Sequence, residues 1–175
     1  MNMYRNGYVV ANLNAKGKAY DAWPLKDLLY NKEAELLTNM LDDKWFCKYD
    51  MQEIIPDLDF AKMYLNYCRS INLPAKLLLF ESLDNTIIVE NEVNIKEVMG
   101  FDCIGTVHYS YLQSEIDSFK AKMAHKNICL SKYGLANSIE DVIQFINDRR
   151  TLIAAGVNLE DFWSEMPVKI SIIDI

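Results

Sequence analysis

The chain has 175 residues, of which 51% are hydrophobic and 25% charged, with a formal net charge of −7. This composition disfavours a disordered chain, and the length predicts one globular domain that spans residues 1–175. The acidic balance disfavours direct nucleic-acid binding, because phosphates are neutralised by clustered Lys and Arg, and no apolar run approaches the roughly 18 residues that span a bilayer.

The front of the chain begins with a strand pattern that is followed by two helical patterns. Residues 8–13 are short, partly β-branched and flanked by glycine and asparagine, which indicates a strand. Pro24 opens a helix whose leucines recur at three- and four-residue steps on one face. Asp57 or Asp59 is expected to cap the next helix, which the Asn-Leu-Pro sequence at residues 72–74 ends.

The middle of the chain carries a predicted hairpin. Residues 75–81 form a short apolar run after a proline, which is typical of a central strand, and residues 86–90 form a second strand-like run. Asp84 begins a turn between them, so we expect the two runs to pair. Residues 91–99 mix charged and apolar side chains, and their pattern leaves both a short helix and an edge strand open.

The back of the chain is mostly helical in pattern. Residues 101–107 have the pattern of a strand that bends at a glycine, and Ser110 or Ser114 can cap a helix after it. Ser138 is expected to cap a further helix, whose acidic first turn and apolar face are followed by Gly156 as the C-terminal cap.

These elements define the expected fold. A final run at residues 168–174 alternates roughly between apolar and polar side chains and adds a last strand. We therefore expect a single α+β domain, with a mixed or antiparallel sheet of about five strands packed against about four helices. The sequence shows no internal repeat and no linker, which also favours one domain.

The cysteines indicate the compartment. The chain has four of them, Cys47, Cys68, Cys103 and Cys129, far apart and without a Cys-x-x-Cys pair. This spacing favours reduced, partly buried thiols over a disulfide framework or a zinc site. The N-terminus lacks a basic start followed by an apolar stretch, so no signal peptide is expected. We predict a soluble cytoplasmic protein with no metal, cofactor or membrane partner.

Catalytic motifs are mostly absent, so we assign no catalytic residue and do not expect an enzyme. Phosphate-loop, dinucleotide-binding, zinc-protease and serine-hydrolase motifs are all missing from the sequence. Cys103 and His108 flank a glycine, and a thiol beside an imidazole can be an activated nucleophile. Residues five apart on a regular strand point to opposite faces, however, which favours a buried structural thiol.

A second weak pattern concerns carboxylates. The order Pro56-Asp57 followed by Glu90 and Glu92 is similar to the Pro-Asp…Glu-x-Lys order of metal-dependent nucleases. The required lysine is missing, because a glutamate and an asparagine occupy the positions two residues after these two glutamates. This departure disfavours a metal site.

Acidic side chains bracket the predicted hairpin and follow the late helix. On a chain of net charge −7, such acids can form a binding face for a basic protein, since complementary charge raises the rate of association. Aromatic residues within a charged rim are typical of protein interfaces. The expected partner-binding residues are Glu81, Asp84, Glu90, Glu92, Glu160, Asp161 and Trp163.

The chain resembles a known protein family in its small size, its acidic charge and four stretches of its back half. The stretches are Gly100-Phe101-Asp102, Ser110-Tyr111-Leu112, Lys132-Tyr133-Gly134-Leu135 and Asn158-Leu159-Glu160-Asp161-Phe162-Trp163. The chain resembles the immunity proteins of bacterial contact-dependent and polymorphic toxin systems. This resemblance implies a one-to-one complex with a cognate toxin domain, often a basic nuclease, whose active site is covered. Two alternatives stay open: a structural or regulatory subunit of an oligomer, and a small enzyme with a Cys103/His108 site.

Overall fold

A computed structural model describes residues 2–13, 20–22, 54–85, 88–104, 128–157 and 166–175 and shows an α+β fold. The elements in chain order are strand β1 (Tyr4–Leu13), strand β2 (Tyr20–Ala22), helix α1 (Leu58–Ser70), strand β3 (Lys76–Ser82), strand β4 (Asn94–Ile104), helix α2 (Ile139–Ala154) and strand β5 (Met166–Asp174). All strands join one antiparallel sheet in the order β2-β1-β3-β5-β4. Four strands are long, and the three-residue β2 pairs only with the end of β1.

The predicted layout of five strands packed against four helices is wrong. Within the described residues there are two helices, and four long strands make up the sheet apart from the short β2, which no sequence pattern indicated. The predicted helices after Pro24 and after Ser110 lie outside the described residues. In the described part of the chain, both helices therefore contact strands of the same sheet.

The predicted hairpin between residues 75–81 and 86–90 is also wrong. β3 pairs with β1 and β5, and residues 88–90 lie outside any strand. The local pattern misled because Val89 is buried against the core while its neighbours are exposed, which gives a connecting segment the same alternation as a strand. The central position of β3 itself is confirmed.

Residues 88–93, which we name the connecting segment, lie between β3 and β4 in the chain. They pass beside the start of β1 and end at the start of β4. The Val89 N–H donates to the Arg5 carbonyl at 2.9 Å, and the segment then reaches Asn94, the first residue of β4. The undecided stretch at 91–99 is strand from Asn94 onwards. This stretch is a strand because it pairs with β5. Since β5 lies about 70 residues later in the chain, the local sequence at 91–99 does not indicate the pairing.

Both helices pack on the same face of the sheet. In a sheet, two residues paired across neighbouring strands lie on the same face, and so do residues two apart on one strand. The register therefore places Tyr8 of β1 and Cys103 of β4 on the same face. The cluster beneath α1 includes Tyr8, Val10, Leu77, Leu79, Phe60, Ala61, Tyr64, Leu65 and Cys68. The cluster beneath α2 contains Cys103, Ala136, Val142, Phe145 and Ile146.

The opposite face of the sheet is buried as well. Its apolar cluster includes Val9, Ala11, Tyr20, Leu78, Phe80, Met99, Ile170 and Ile172. Asp102 lies fully buried and accepts hydrogen bonds from the Tyr20 hydroxyl (3.2 Å) and the Cys103 backbone N–H (2.8 Å). Burial on both faces explains why β3 is a continuous apolar run rather than an alternating one.

The four long strands have approximate two-fold symmetry, which relates the β1–α1–β3 half to the β4–α2–β5 half. One row of paired residues crosses the sheet in the order Gly7, Phe80, Ile170 and Gly100. The middle strands, β3 and β5, are antiparallel neighbours, so a half-turn perpendicular to the sheet between them exchanges the two glycines. Two β-α-β units therefore share one sheet.

The two outer strands have the same irregularity at their glycines. The register shifts immediately before Gly7 in β1 and before Gly100 in β4, and the two residues have positive φ angles of 154° and 142°. A Cβ on Gly7 would lie 2.8 Å from the Ile55 carbonyl oxygen, and one on Gly100 would lie 2.7 Å from that of Ala136. Glycine is required at both positions, because a loop backbone approaches too closely for any side chain.

The residue after each glycine forms a reciprocal bridge to that loop. Tyr8 and Ile55 exchange two backbone hydrogen bonds of 2.7 Å each, and Phe101 and Ala136 exchange two of 2.8 and 2.9 Å. Each bridge satisfies backbone groups that an outer strand would otherwise present to a passing chain.

Each bridge leads directly into a helix with matching ends. The Asp57 carboxylate accepts two first-turn N–H groups at 2.9 Å, and the Ser138 hydroxyl accepts one at 3.1 Å. At the far ends, Asn72 (φ 62°) and Gly156 (φ 82°) each precede an N–H that returns to the carbonyl five residues earlier. The predicted N-cap Ser138 is confirmed, and of the two candidates for α1 the N-cap is Asp57. Gly156 ends α2 as predicted, at positive φ directly after the C-cap Ala155.

The structure thus contains an internal repeat that the sequence does not reveal. Apart from Gly7 and Gly100, the two halves share backbone features but not residue types: Ile55 corresponds to Ala136, Asp57 to Ser138, and Asn72 to Gly156. Each feature can be formed by several residue types, so the sequences can differ while the backbone arrangement is the same.

Candidate functional site

A groove of about 960 Å³ lies between α1 and the connecting segment. The outer side of α1 forms one wall, and the connecting segment forms the other. Arg5 of β1 and the end of β5, at Asp174, also line it. The groove therefore draws on both symmetry-related halves and on the segment that joins them.

The α1 wall follows from the helical repeat. Leu58, Lys62, Asn66 and Arg69 line the groove at steps of four, four and three residues, which places them along one side of the helix. Leu58 is itself buried, and the other buried residues of α1 occupy the side that packs on the sheet. The amphipathic character of α1 thus turns two cations and an amide towards the groove.

The wall formed by the connecting segment follows from alternation. Val89 is buried and Val93 is half-buried against the α1 cluster, while Glu90 and Glu92 are exposed and line the groove. An extended backbone directs successive side chains to opposite sides, so burial of the valines turns the glutamates outwards.

Arg5 holds the connecting segment in place. Its carbonyl accepts the Val89 N–H at 2.9 Å, and its guanidinium donates to the Asn91 carbonyl at 2.8 Å. A charged donor on a backbone carbonyl is among the stronger hydrogen bonds. The position of the two glutamates is therefore fixed from β1.

The walls carry opposite charges. Lys62 and Arg69 make the α1 wall positive. On the facing wall, Glu90 and Glu92 outnumber the one guanidinium, that of Arg5, which is held at the Asn91 carbonyl. The side chains of Arg69, Glu90 and Glu92 have no hydrogen bond or ion pair with any described residue. These side chains are exposed.

The groove residues that do form ion pairs form them with neighbours on the same helix or on the adjacent strand. Lys62 pairs with Asp59 of the same helix at 3.5 Å, and Asp174 pairs with Lys96 of the neighbouring strand at 3.3 Å. Among the described residues, no ion pair crosses the groove. The groove is thus open between two walls of opposite sign.

The structure brings two of the predicted partner-binding residues together and separates two others. Glu90 and Glu92 share the groove. Glu81 is buried and accepts a hydrogen bond from the Lys169 ammonium at 2.6 Å, so it is already ion-paired inside the fold. Asp84 lies in the turn after β3, where its carbonyl accepts the Asn6 amide at 2.9 Å. The remaining three, Glu160, Asp161 and Trp163, lie outside the described residues.

Cys103 lies in an apolar environment. It is fully buried in the cluster beneath α2, and such surroundings disfavour a reactive thiolate. His108, its predicted partner, lies outside the described residues. Cys68 is buried beneath α1, and burial raises the pKa of its thiol to about 11. Cys129 is exposed.

Sequence reasoning missed the positive wall. The spacing of Lys62, Asn66 and Arg69 was available, but it is also the spacing of any solvated helix face. Arg5 gave no signal, because its role depends on Asn91, which is 86 residues away.

No family model, curated protein or solved structure matches the chain. Among the described residues, no group of three or more His, Cys, Asp and Glu side chains is placed to hold a metal ion. No helix in the same part of the chain is long and apolar enough to cross a membrane.

Proposed function

We propose that this chain is a non-catalytic binding protein of the immunity type, which neutralises a basic, nuclease-like toxin domain by covering its active site. The observation that carries the proposal is the pair Glu90 and Glu92, exposed in a groove and without a partner among the described residues. A cation from another protein can bind them without breaking an internal ion pair.

Two further features support a protein partner. The net charge of −7 attracts a basic surface at long range and raises the rate of encounter. Ile88, at the start of the connecting segment, is 51% exposed and supplies apolar contact area next to the glutamates. Apolar anchors beside charged groups are common at protein interfaces.

The test is a binding and protection assay with the toxin domain encoded beside this gene. We expect a one-to-one complex by light scattering and loss of toxin activity on its substrate. The double variant Glu90→Lys/Glu92→Lys is expected to weaken the complex by about tenfold or more, since it replaces attraction with repulsion at two positions.

Glu140→Lys is the matched control. Glu140 is exposed on the first turn of α2, and the substitution makes the same change in net charge per residue. We expect it to alter affinity by less than about threefold, because long-range charge effects at an exposed site are screened by salt. A double variant that binds as tightly as the native chain would remove the basis of the proposal.

A further inference from the structure

We infer that the groove binds an extended segment of the partner in which basic and acidic side chains alternate. This inference rests on the proposed function and specifies the chemistry of the partner. It is carried by the opposite charges of the two walls and by the absence, among the described residues, of any ion pair that crosses between them.

The dimensions suit a short extended chain. The α1 wall runs from Leu58 to Arg69, which at 1.5 Å per residue is about 17 Å. An extended chain rises about 3.3 Å per residue, so about five residues cover the wall. A helix of about 10 Å diameter presents side chains all around its axis, whereas about five extended residues present two or three side chains to each wall.

The charges select the side chains of that segment. An extended chain directs alternate side chains to opposite sides, so one set faces α1 and the other faces the connecting segment. Acidic side chains match Lys62 and Arg69, and basic side chains match Glu90 and Glu92. Asn66, between the two cations on α1, has both donors and an acceptor for the backbone of the segment.

A purely basic segment and an alternating segment would respond in opposite ways to the loss of a cation from α1. A purely basic segment would be attracted by Glu90 and Glu92 but repelled by Lys62 and Arg69. Removing a cation from α1 would then strengthen binding. For an alternating segment, the same change would weaken it.

Arg69→Glu in the full chain, assayed with the toxin domain, separates these cases. We expect about tenfold weaker binding, because the variant repels the acidic side chains of the segment. Lys76→Glu is the control: Lys76 is exposed at the start of β3, on the sheet face opposite α1, and the charge change is identical. The control is expected to bind as tightly as the native chain, or slightly more tightly.

Synthetic peptides test the pattern directly. Three fluorescent eight-residue peptides are titrated at low ionic strength: one alternates Lys and Glu, one has four Lys followed by four Glu, and one is all Lys. We expect the alternating peptide to bind at least about tenfold more tightly than the block peptide, with loss of binding in Arg69→Glu. Equal binding of the two, tighter binding of the all-Lys peptide, or no binding of the alternating one overturns the inference.

The outcomes distinguish this inference from the proposed function. If Glu90→Lys/Glu92→Lys weakens the toxin complex but Arg69→Glu strengthens it, the proposed function stands and the alternating segment is wrong. If neither variant changes the complex, the groove is not the binding site, and both fail. Circular dichroism of each variant confirms that the fold is intact.

Discussion

The two halves of the sheet attach a loop to an outer strand in the same way but stabilise it differently. In the first half, the loop contributes two buried isoleucines, Ile54 and Ile55. In the second half, Leu135 corresponds to the first of these, but Ala136 takes the place of the second. Backbone geometry is thus the constant feature, and side-chain volume is not.

The second half has a polar attachment in addition. Glu97 of β4 accepts the Lys132 ammonium and the Tyr133 hydroxyl, both from the loop that precedes the bridge. The Lys132 hydrogen bond, followed by that of Tyr133, holds the pKa of the Glu97 carboxyl below its ordinary value. The smaller side chain at Ala136 is thus accompanied by a partly exposed polar cluster.

The largest effect is expected from Gly7→Ala and Gly100→Ala. Each substitution places a Cβ within 2.8 Å of a loop carbonyl oxygen, at a positive φ. Each should lower the free energy of unfolding by about 2–4 kcal/mol, the sum of backbone strain and overpacking. Gly156→Ala is the control, since it has positive φ but no atom within 4 Å, and should cost about 1 kcal/mol. Urea denaturation measures all three, and equal losses would show that strain alone matters.

Ile55→Ala converts the bridge residue of the first half to that of the second. Ile55 is almost fully buried, so we expect a loss of about 2–4 kcal/mol in the free energy of unfolding from lost burial and the remaining cavity. Chemical denaturation measures this loss, and an unchanged m-value, the dependence of the unfolding free energy on denaturant concentration, would show that only stability has changed. A loss below about 1 kcal/mol would show that the bridge hydrogen bonds, and not the side chain, hold the loop.

The helix caps should differ modestly between the halves. Asp57→Ala removes an acceptor for two N–H groups, and Ser138→Ala removes an acceptor for one. We expect losses of about 1–2 kcal/mol for the first and about 1 kcal/mol for the second. Thermal melts measure the two variants, and Asp57→Asn, which retains a side-chain acceptor, should recover most of the loss at that position.

The smallest effect concerns the polar attachment and its pH dependence. The pKa of Glu97 is lower in the folded protein than in the unfolded chain. The ionised carboxylate therefore stabilises the fold at a pH above the ordinary carboxyl pKa, and this stabilisation is lost as the pH falls through the lowered pKa. Glu97→Gln should therefore melt slightly below the native protein at neutral pH and at the same temperature in strong acid. A difference that persists or grows on acidification would contradict this account.

The candidate site shows how far local pattern reaches. Glu90 and Glu92 were predicted to bind a partner, and the structure places both in one groove. Glu81 looked equivalent in sequence but is paired with Lys169, 88 residues away. The difference between these glutamates depends on which strand lies beside them, and no local pattern contains that information.

The sequence by itself determined the features whose partners lie within one turn of chain. These include the cap at Ser138, the helix end at Gly156 and the apolar run of the central strand, because a cap or a buried run is specified by a few neighbouring residues. For the first helix, the sequence narrowed the cap to Asp57 or Asp59, and the structure assigns it to Asp57. Only the tertiary structure decided the sheet order, the two-fold repeat and the groove. Each of these requires pairing over tens of residues, as between Gly7 and the loop at Ile55, and such contacts form only when the whole sheet assembles.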